Sequence, residues 1–197
     1  MYLEFGMAVV GSDGDRAGTL DHVLVAPERR EVTHLVVRSP QVSEDVLLPL
    51  NLVQGNAGGD LLLQVPSGML AQMARYYEGR TSSAPAGRVD TAIAGEPAAR
   101  RQELEDALAV PPDAVQYGRE TRVATRDGAA GQLVGLGADL YLNRLCELRA
   151  AGLGEQAVTV PEPWIGALAA DAIAVTAAAA ELAHLVGAPA HMAPPQA

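Results

Sequence analysis

The sequence predicts a mainly β fold: two small β-barrels in tandem, each followed by a short helix. Three observations predict it. The first half is a series of short apolar, β-branched runs separated by Gly, Pro and Asp. The stretch "VVGSDGDRAGTLDHVLV", Val9 to Val25, has a close relative in "RVATRDGAAGQLVGL", Arg122 to Leu136. A sheet of about five or six short strands has exposed edges, and closure into a barrel removes them.

Met7 to Val10 forms the first run, and "SDGD" turns it. Asp13-Gly14 is a hairpin signal, because Asp and Gly both tolerate the positive φ of a tight turn. Gly18 opens "TLDHVLV", with Leu20, Val23 and Val25 as its apolar contacts, and permits a bulge or close packing there. "PERREV" is a polar turn. Val32 to Ser39 is a β-branched strand. Val46 to Leu50 is another, ended by Pro49, which has no N–H for a central ladder. "NAGGD" leads into Leu61 to Val65. A helix follows from Ser67 as cap, with Leu70, Met73, Ala74 and Tyr77 at helical spacing.

Residues 79 to about 97 are rich in Gly, Ser, Ala and Pro and lack periodicity, which reads as a mobile linker. Leu104 and Leu108 mark a short helix before "PPD". The second half then repeats the first in order. Val9 matches Val123, Asp13-Gly14 matches Asp127-Gly128, and Gly18 and Leu20 match Gly131 and Leu133. "THLVV" matches "NRLCE", Pro49 matches Pro161, Val53 matches Ile165, and Asp60 matches Asp171. Thr176 to Gly187 answers the first helix. The expected organisation is a first barrel at 1–78, a linker at 79–110, a second barrel at 111–187 and a disordered tail at 188–197.

Composition narrows the function. The chain has 197 residues, 49% hydrophobic but only 4% aromatic, so its core is mostly Val, Leu, Ile and Ala. Net charge is −10 and all 14 basic residues are Arg. The acidic excess is spread over both halves, which disfavours a phosphate backbone as main partner and leaves an Arg patch at Arg29 and Arg30 as the local exception. The single Cys146 excludes an intramolecular disulfide and reads as a buried small hydrophobe. The N-terminus lacks the basic flank and apolar core of a secretory signal. Ala167 to Val186 is interrupted by Asp171, Glu181 and His184, short of the roughly 18 apolar residues that span a bilayer. These features predict a soluble, cytoplasmic protein.

Candidate site residues are few. His22 and His34 lie on neighbouring strands, but no third ligand falls at zinc spacing, so no metal site is expected. His184 and His191 have nothing beside them. Asp13 and Asp127 recur, and a turn Asp bonding its own backbone explains the recurrence better than paired catalytic carboxylates. "GSDGDRAG" lacks the Gly-Lys-Ser/Thr of a phosphate loop. Gly14, Gly18, Gly128 and Gly131 are structural turn or close-packing residues. Trp164, the only Trp, is either a core residue or an exposed binding spot. Tyr76 and Tyr77 pose the same choice, one packing under the barrel and the other covering its rim. No catalytic residue and no cofactor is expected.

Each half resembles a PRC-barrel domain, on "VVGSDGDRAGTLDHVLV", "VTHLVV" and "VLLPLNLV". It is similar to the cytoplasmic domain of the photosynthetic reaction-centre H subunit and to the C-terminal domain of RimM-type ribosome maturation factors. The resemblance covers about residues 4–78, and 115–186 more loosely. The second copy departs from it with "AAGLGEQA" before its Pro strand and with Gly135 and Gly137 inside its second strand. A barrel of about 75 residues buries only about 60–65% of its unfolded surface, so two copies gain by packing on each other, or by forming a homo-oligomer. The resemblance implies a bacterial, non-enzymatic assembly or adaptor module whose partner is another protein. The alternatives are a small-ligand sensor and a ribosome-associated accessory factor docking on a basic ribosomal protein.

Overall fold

A computed structural model of the chain describes residues 1–40, 42, 45–73, 75–76 and 110–183. All of the expected linker at 79–110 but Val110, with its Leu104 and Leu108 helix, and Tyr77, His184, His191 and the tail lie outside the described residues. The fold is mainly β. In the first half β1 (Tyr2–Glu4), β2 (Ala8–Val10), β3 (Arg16–Ala26), β4 (Glu31–Arg38) and β5 (Asp45–Pro49) lead to a 3-10 turn at Leu50–Leu52. Then come β6 (Val53–Ala57), β7 (Asp60–Leu63), a 3-10 turn at Ser67–Gln72 and β8 (Arg75–Tyr76). In the second half β9 (Val115–Tyr117), β10 (Arg122–Ala124), β11 (Ala130–Asp139), β12 (Arg144–Ala151) and β13 (Val158–Pro161) lead to a 3-10 turn at Glu162–Trp164. β14 (Ile165–Leu168), β15 (Ala172–Val175) and helix α1 (Ala179–Ala183) complete it.

The halves use the same pairings. β2 runs antiparallel to β3 with Val9 opposite Gly18, and parallel to β7 with Val9 opposite Leu61. β10 runs antiparallel to β11 with Val123 opposite Gly131, and parallel to β15 with Val123 opposite Ile173. β4 lies between β3 and β5, as β12 lies between β11 and β13. Close packing explains Gly18 and Gly131. A Cβ on Gly18 would drive into the Arg38 carbonyl oxygen, and one on Gly131 into that of Ala151. Both turn glycines have positive φ, 82° at Gly14 and 86° at Gly128.

Registers correct two of the sequence matches. Leu20 faces Val37 and Leu133 faces Ala150, so "THLVV" corresponds to Cys146–Ala150, three residues beyond "NRLCE". Leu61 corresponds to Ile173, so Asp60 corresponds to Ala172 and not to Asp171. A one-residue slip would turn the strand's buried set outward, and Ile173 and Val175 are buried as Leu61 and Leu63 are. The helix expected from Ser67 also stops early. It is a 3-10 turn ending at Gln72, and the chain extends into β8, whose Tyr76 pairs with Asp45.

Further strands were not read from the sequence, among them β1, β6 and β9. β6 hairpins with β7. β1 leads the first half but pairs with β11 of the second, placing Leu3 opposite Leu136. β9 leads the second half but pairs with β3 of the first, placing Tyr117 opposite Val23. Leu3 and Tyr117 are both fully buried, and one apolar core runs through both halves. The sheet is not closed. Its main path runs β14-β15-β10-β11-β12-β4-β3-β2-β7-β6, and no pairing among the described residues joins its ends. Each half covers strand edges by lending its leading strand to the other, which meets the need that closure was expected to meet. A second small cluster of Leu24, Val36, Leu47 and Ala114 lies apart from the main core.

Candidate docking surface at the junction of the halves

The β3–β4 turn and the β11–β12 turn meet where β4 and β12 touch, with Glu31 opposite Arg144. Arg30 and Asn143 sit beside that contact with φ of 52° and 51°. The Val32 N–H donates to the Asn143 carbonyl at 2.7 Å, and the Leu145 N–H donates to the Arg30 carbonyl at 2.8 Å. The Arg30 guanidinium crosses to the 3-10 turn of the second half. It donates to the Glu162 carboxylate at 2.8 Å, the Glu162 carbonyl at 3.0 Å and the Ile165 carbonyl at 2.6 Å. The Glu162 carbonyl opens the 3-10 turn and the Ile165 carbonyl lies just after it at the start of β14, so the guanidinium spans the turn. Arg29, by contrast, pairs with Glu31 alone among the described residues, at 3.4 Å on the surface.

Beside this junction the β11–β12 turn carries Tyr141 and Leu142, which are 98% and 68% exposed. One Asp139 carboxylate oxygen accepts both of their backbone N–H groups, at 2.8 and 3.2 Å. The turn is thereby pinned while its two large side chains face outward. The only other large hydrophobe exposed among the described residues is Met69. Sequence reasoning missed this pair because "LYLNRLCEL" reads as one apolar run. The signal was there: two large apolar residues stand where a turn should be polar.

Two further contacts tie the halves. The His22 Nε2 lies 2.9 Å from a Glu120 carboxylate oxygen, and its Nδ1 lies 3.0 Å from Asp21. Asp21 also accepts from Arg38 at 2.9 Å. Arg119 donates to the Phe5 carbonyl across Gly6, where a Cβ would collide with the guanidinium. His34, like His22, is buried, and it lies on the neighbouring strand β4. Among the described residues no three His, Cys, Asp or Glu side chains are grouped to hold a metal ion.

The two recurrent Asp residues act alike. Asp13 accepts the Ser67 backbone N–H at 3.0 Å and the Ser67 hydroxyl at 3.0 Å. Asp127 accepts the Ala179 N–H at 3.2 Å and the Thr125 hydroxyl at 2.5 Å. Each turn carboxylate therefore anchors the helical turn that follows the last long strand of its half. The Ser67 backbone N–H holds Asp13 below the usual carboxylate range, and the Thr125 hydroxyl does the same for Asp127. Ser67 was expected to cap with its own side chain, but its N–H and hydroxyl both donate to Asp13 instead.

The other candidates are dispersed. Trp164 is half-buried against the main core, and its carbonyl accepts the Thr176 N–H at 2.9 Å. Tyr76 lies on β8, away from Trp164 in the sheet order. Cys146 is exposed, not buried as expected, because the register of β12 turns Leu145 and Leu148 inward and Cys146 outward. Tyr2, which sequence reasoning passed over, packs its ring end over Gly135, and burial pushes its hydroxyl up to about 12. An open groove of about 570 Å³ is lined by residues 112–116 with Glu120, Thr121 and Asp171. Among the described residues no helix is long and apolar enough to cross a membrane. Ala167 to Ala183 of the apolar stretch folds instead as β14, β15 and α1.

The family model of the PRC-barrel domain matches residues 5–70. The match begins just before β2 and ends inside the 3-10 turn that Asp13 anchors. No curated protein matches the chain.

Proposed function

We propose that this chain is a tandem PRC-barrel protein, without enzymatic activity, that works as an assembly or adaptor module for a protein partner. The family match covers the first half, and the recurrence of its strand pairings in residues 115–183 supports a second, degenerate copy. The observation that carries the docking role is the pinned, outward-facing Tyr141-Leu142 pair at the junction. Aromatic residues held rigidly on a surface give large contact area at little entropic loss and dominate interface energetics. Affinity purification from the native cell tests this. The wild-type chain should retain a stoichiometric protein partner, and Tyr141→Ser with Leu142→Ser should lose it while keeping the wild-type Tm. A double variant that retains every partner overturns the assignment of the surface. A wild-type chain that stays alone overturns the adaptor role.

A second reading rests on the groove lined by Asp113, Glu120 and Asp171. It would receive a small cationic ligand, and a thermal-shift screen of such compounds would raise Tm if it does.

A further inference from the structure

We infer that His22, Asp21 and Glu120 form a proton-operated clasp between the two halves, which tightens when the His22 ring is charged. His22 is 7% exposed, and both of its ring nitrogens face carboxylates. Nε2 lies 2.9 Å from Glu120, which belongs to the second half, and Nδ1 lies 3.0 Å from Asp21 beside it on β3. The contact to Glu120 is a hydrogen bond, whereas Nδ1 makes no hydrogen bond among the described residues. A neutral imidazole carries one N–H. Whichever tautomer forms, its other nitrogen turns a lone pair toward a carboxylate oxygen. The charged ring is a donor at both nitrogens and an ion-pair partner for both acids.

The fold prepares this arrangement but does not require it. The β3–β4 ladder slips between Leu20 and His22, and such a bulge re-aims the side chains beside it. The β11–β12 ladder slips at the matching place, between Leu133 and Gly135. There Gly135 holds the place of His22, and Val134 that of Asp21. Tyr117 faces Val23 as Leu3 faces Leu136, so Glu120 and Gly6, three residues further on, also match. The second site thus has the bulge with no ionisable side chain among Gly135, Val134 and Gly6. A Cβ on Gly118 would collide with the His22 ring, so Gly118 leaves the space that the ring fills.

The other charges around the trio, among the described residues, come from each neighbouring element. Arg38 of β4 donates to Asp21 at 2.9 Å and reaches Asp45 of β5 at 3.5 Å. The Arg119 guanidinium is taken up by the Phe5 carbonyl. Asp113 and Asp171 line the groove that Glu120 borders. His34 stands two positions along β4 from Val36, which faces His22. The charged ring finds Asp21 and Glu120 together only in the folded chain. The clasp therefore adds stability as pH falls from about 8 to about 5.5, the range in which imidazoles charge, and loses it as pH rises again.

Thermal unfolding of the full chain across that range tests this. The Tm of wild type minus that of His22→Gln should widen by about 3 °C as pH falls. Glu120→Gln keeps an acceptor but removes the charge, and the wild-type Tm should draw away from it in the same direction by about half as much. Glu120 is exposed, so this variant decides the matter even if His22→Gln unfolds. His34→Gln should run parallel to wild type. Parallel curves for wild type and Glu120→Gln, a His22→Gln gap that stays constant or narrows as pH falls, or a widening gap that His34→Gln reproduces in full each overturns the inference.

Discussion

Arg30 and Asn143 are counterparts. Each takes a left-handed backbone conformation, and each presents its carbonyl to the strand that follows the other, to Leu145 and to Val32. Reciprocal contacts of this kind are the signature of a twofold relation, here approximate and within one chain. The relation is not carried into the side chains. Arg30 reaches across to Glu162 and Ile165, whereas the turn that holds Asn143 offers Tyr141 and Leu142 to solvent.

Arg30 bears strain that Asn143 tolerates, because a long side chain at positive φ is unfavourable. Its bonds to the second half offset that. Arg30→Ala should lower stability by about 2 kcal/mol in urea unfolding, through lost charge-assisted hydrogen bonds. Arg30→Gly loses the same bonds but relaxes the backbone, and should be milder by about 1 kcal/mol. Arg29→Ala, a surface pair, should change stability by about 0.5 kcal/mol or less. Equal effects at the two positions would show that Arg30 does not clasp the halves.

Tyr117 is fully buried on β9 against Val23, and no partner for its hydroxyl stands among the described residues. Burial drives the hydroxyl far above its ordinary titration range. An unsatisfied buried polar group is destabilising, so Tyr117→Phe should stabilise by about 1 kcal/mol. Tyr117→Ala should cost about 3–5 kcal/mol through the cavity it leaves. Calorimetric Tm values moving in the same direction for both would contradict this packing.

Gly18 and Gly131 leave no room for a methyl group. Gly18→Ala must push the Arg38 carbonyl away and disturb the β3–β4 ladder, at about 1–3 kcal/mol. Gly131→Ala should act likewise through Ala151. Gly68, which has open space around it, is the control, and Gly68→Ala should be nearly neutral in urea unfolding.

Asp13 and Asp127 predict how stability responds to acid. Both carboxyls are held below their ordinary range in the folded chain, so the unfolded chain takes up protons first as pH falls. Their contribution is present above about pH 4 and is lost as pH falls through the folded values. The Asp13→Asn, Asp127→Asn double variant should have a lower Tm at pH 7 and a flatter Tm curve from pH 5 down to pH 3. Parallel curves for wild type and variant would remove both anchors from the account.

The turn and packing residues were legible because their chemistry is local. Asp13-Gly14 and Asp127-Gly128 need positive φ at the second residue, and Gly18 and Gly131 need empty space, so both leave marks at fixed spacing. Register was less legible. "THLVV" and "NRLCE" align by hydrophobicity alone, and nothing in either says that β12 pairs three residues later. The buried alternation Ile173-Val175 did contain the correct answer for β15, but Asp171 was followed instead as a lone matching charge.

Sequence alone determined that about residues 4–78 form a β-rich unit, within which the PRC-barrel family model matches residues 5–70, and where its tight turns fall. Those properties rest on backbone torsion and side-chain volume, which act within a few residues. Only the tertiary structure decided that β1 and β9 cross to the opposite halves, that Arg30 clasps Glu162, and that Cys146 faces outward. Each of these depends on which strand edge finds a partner. The chain satisfies its buried N–H and carbonyl groups with any edge that fits, and an edge more than a hundred residues away leaves no local trace.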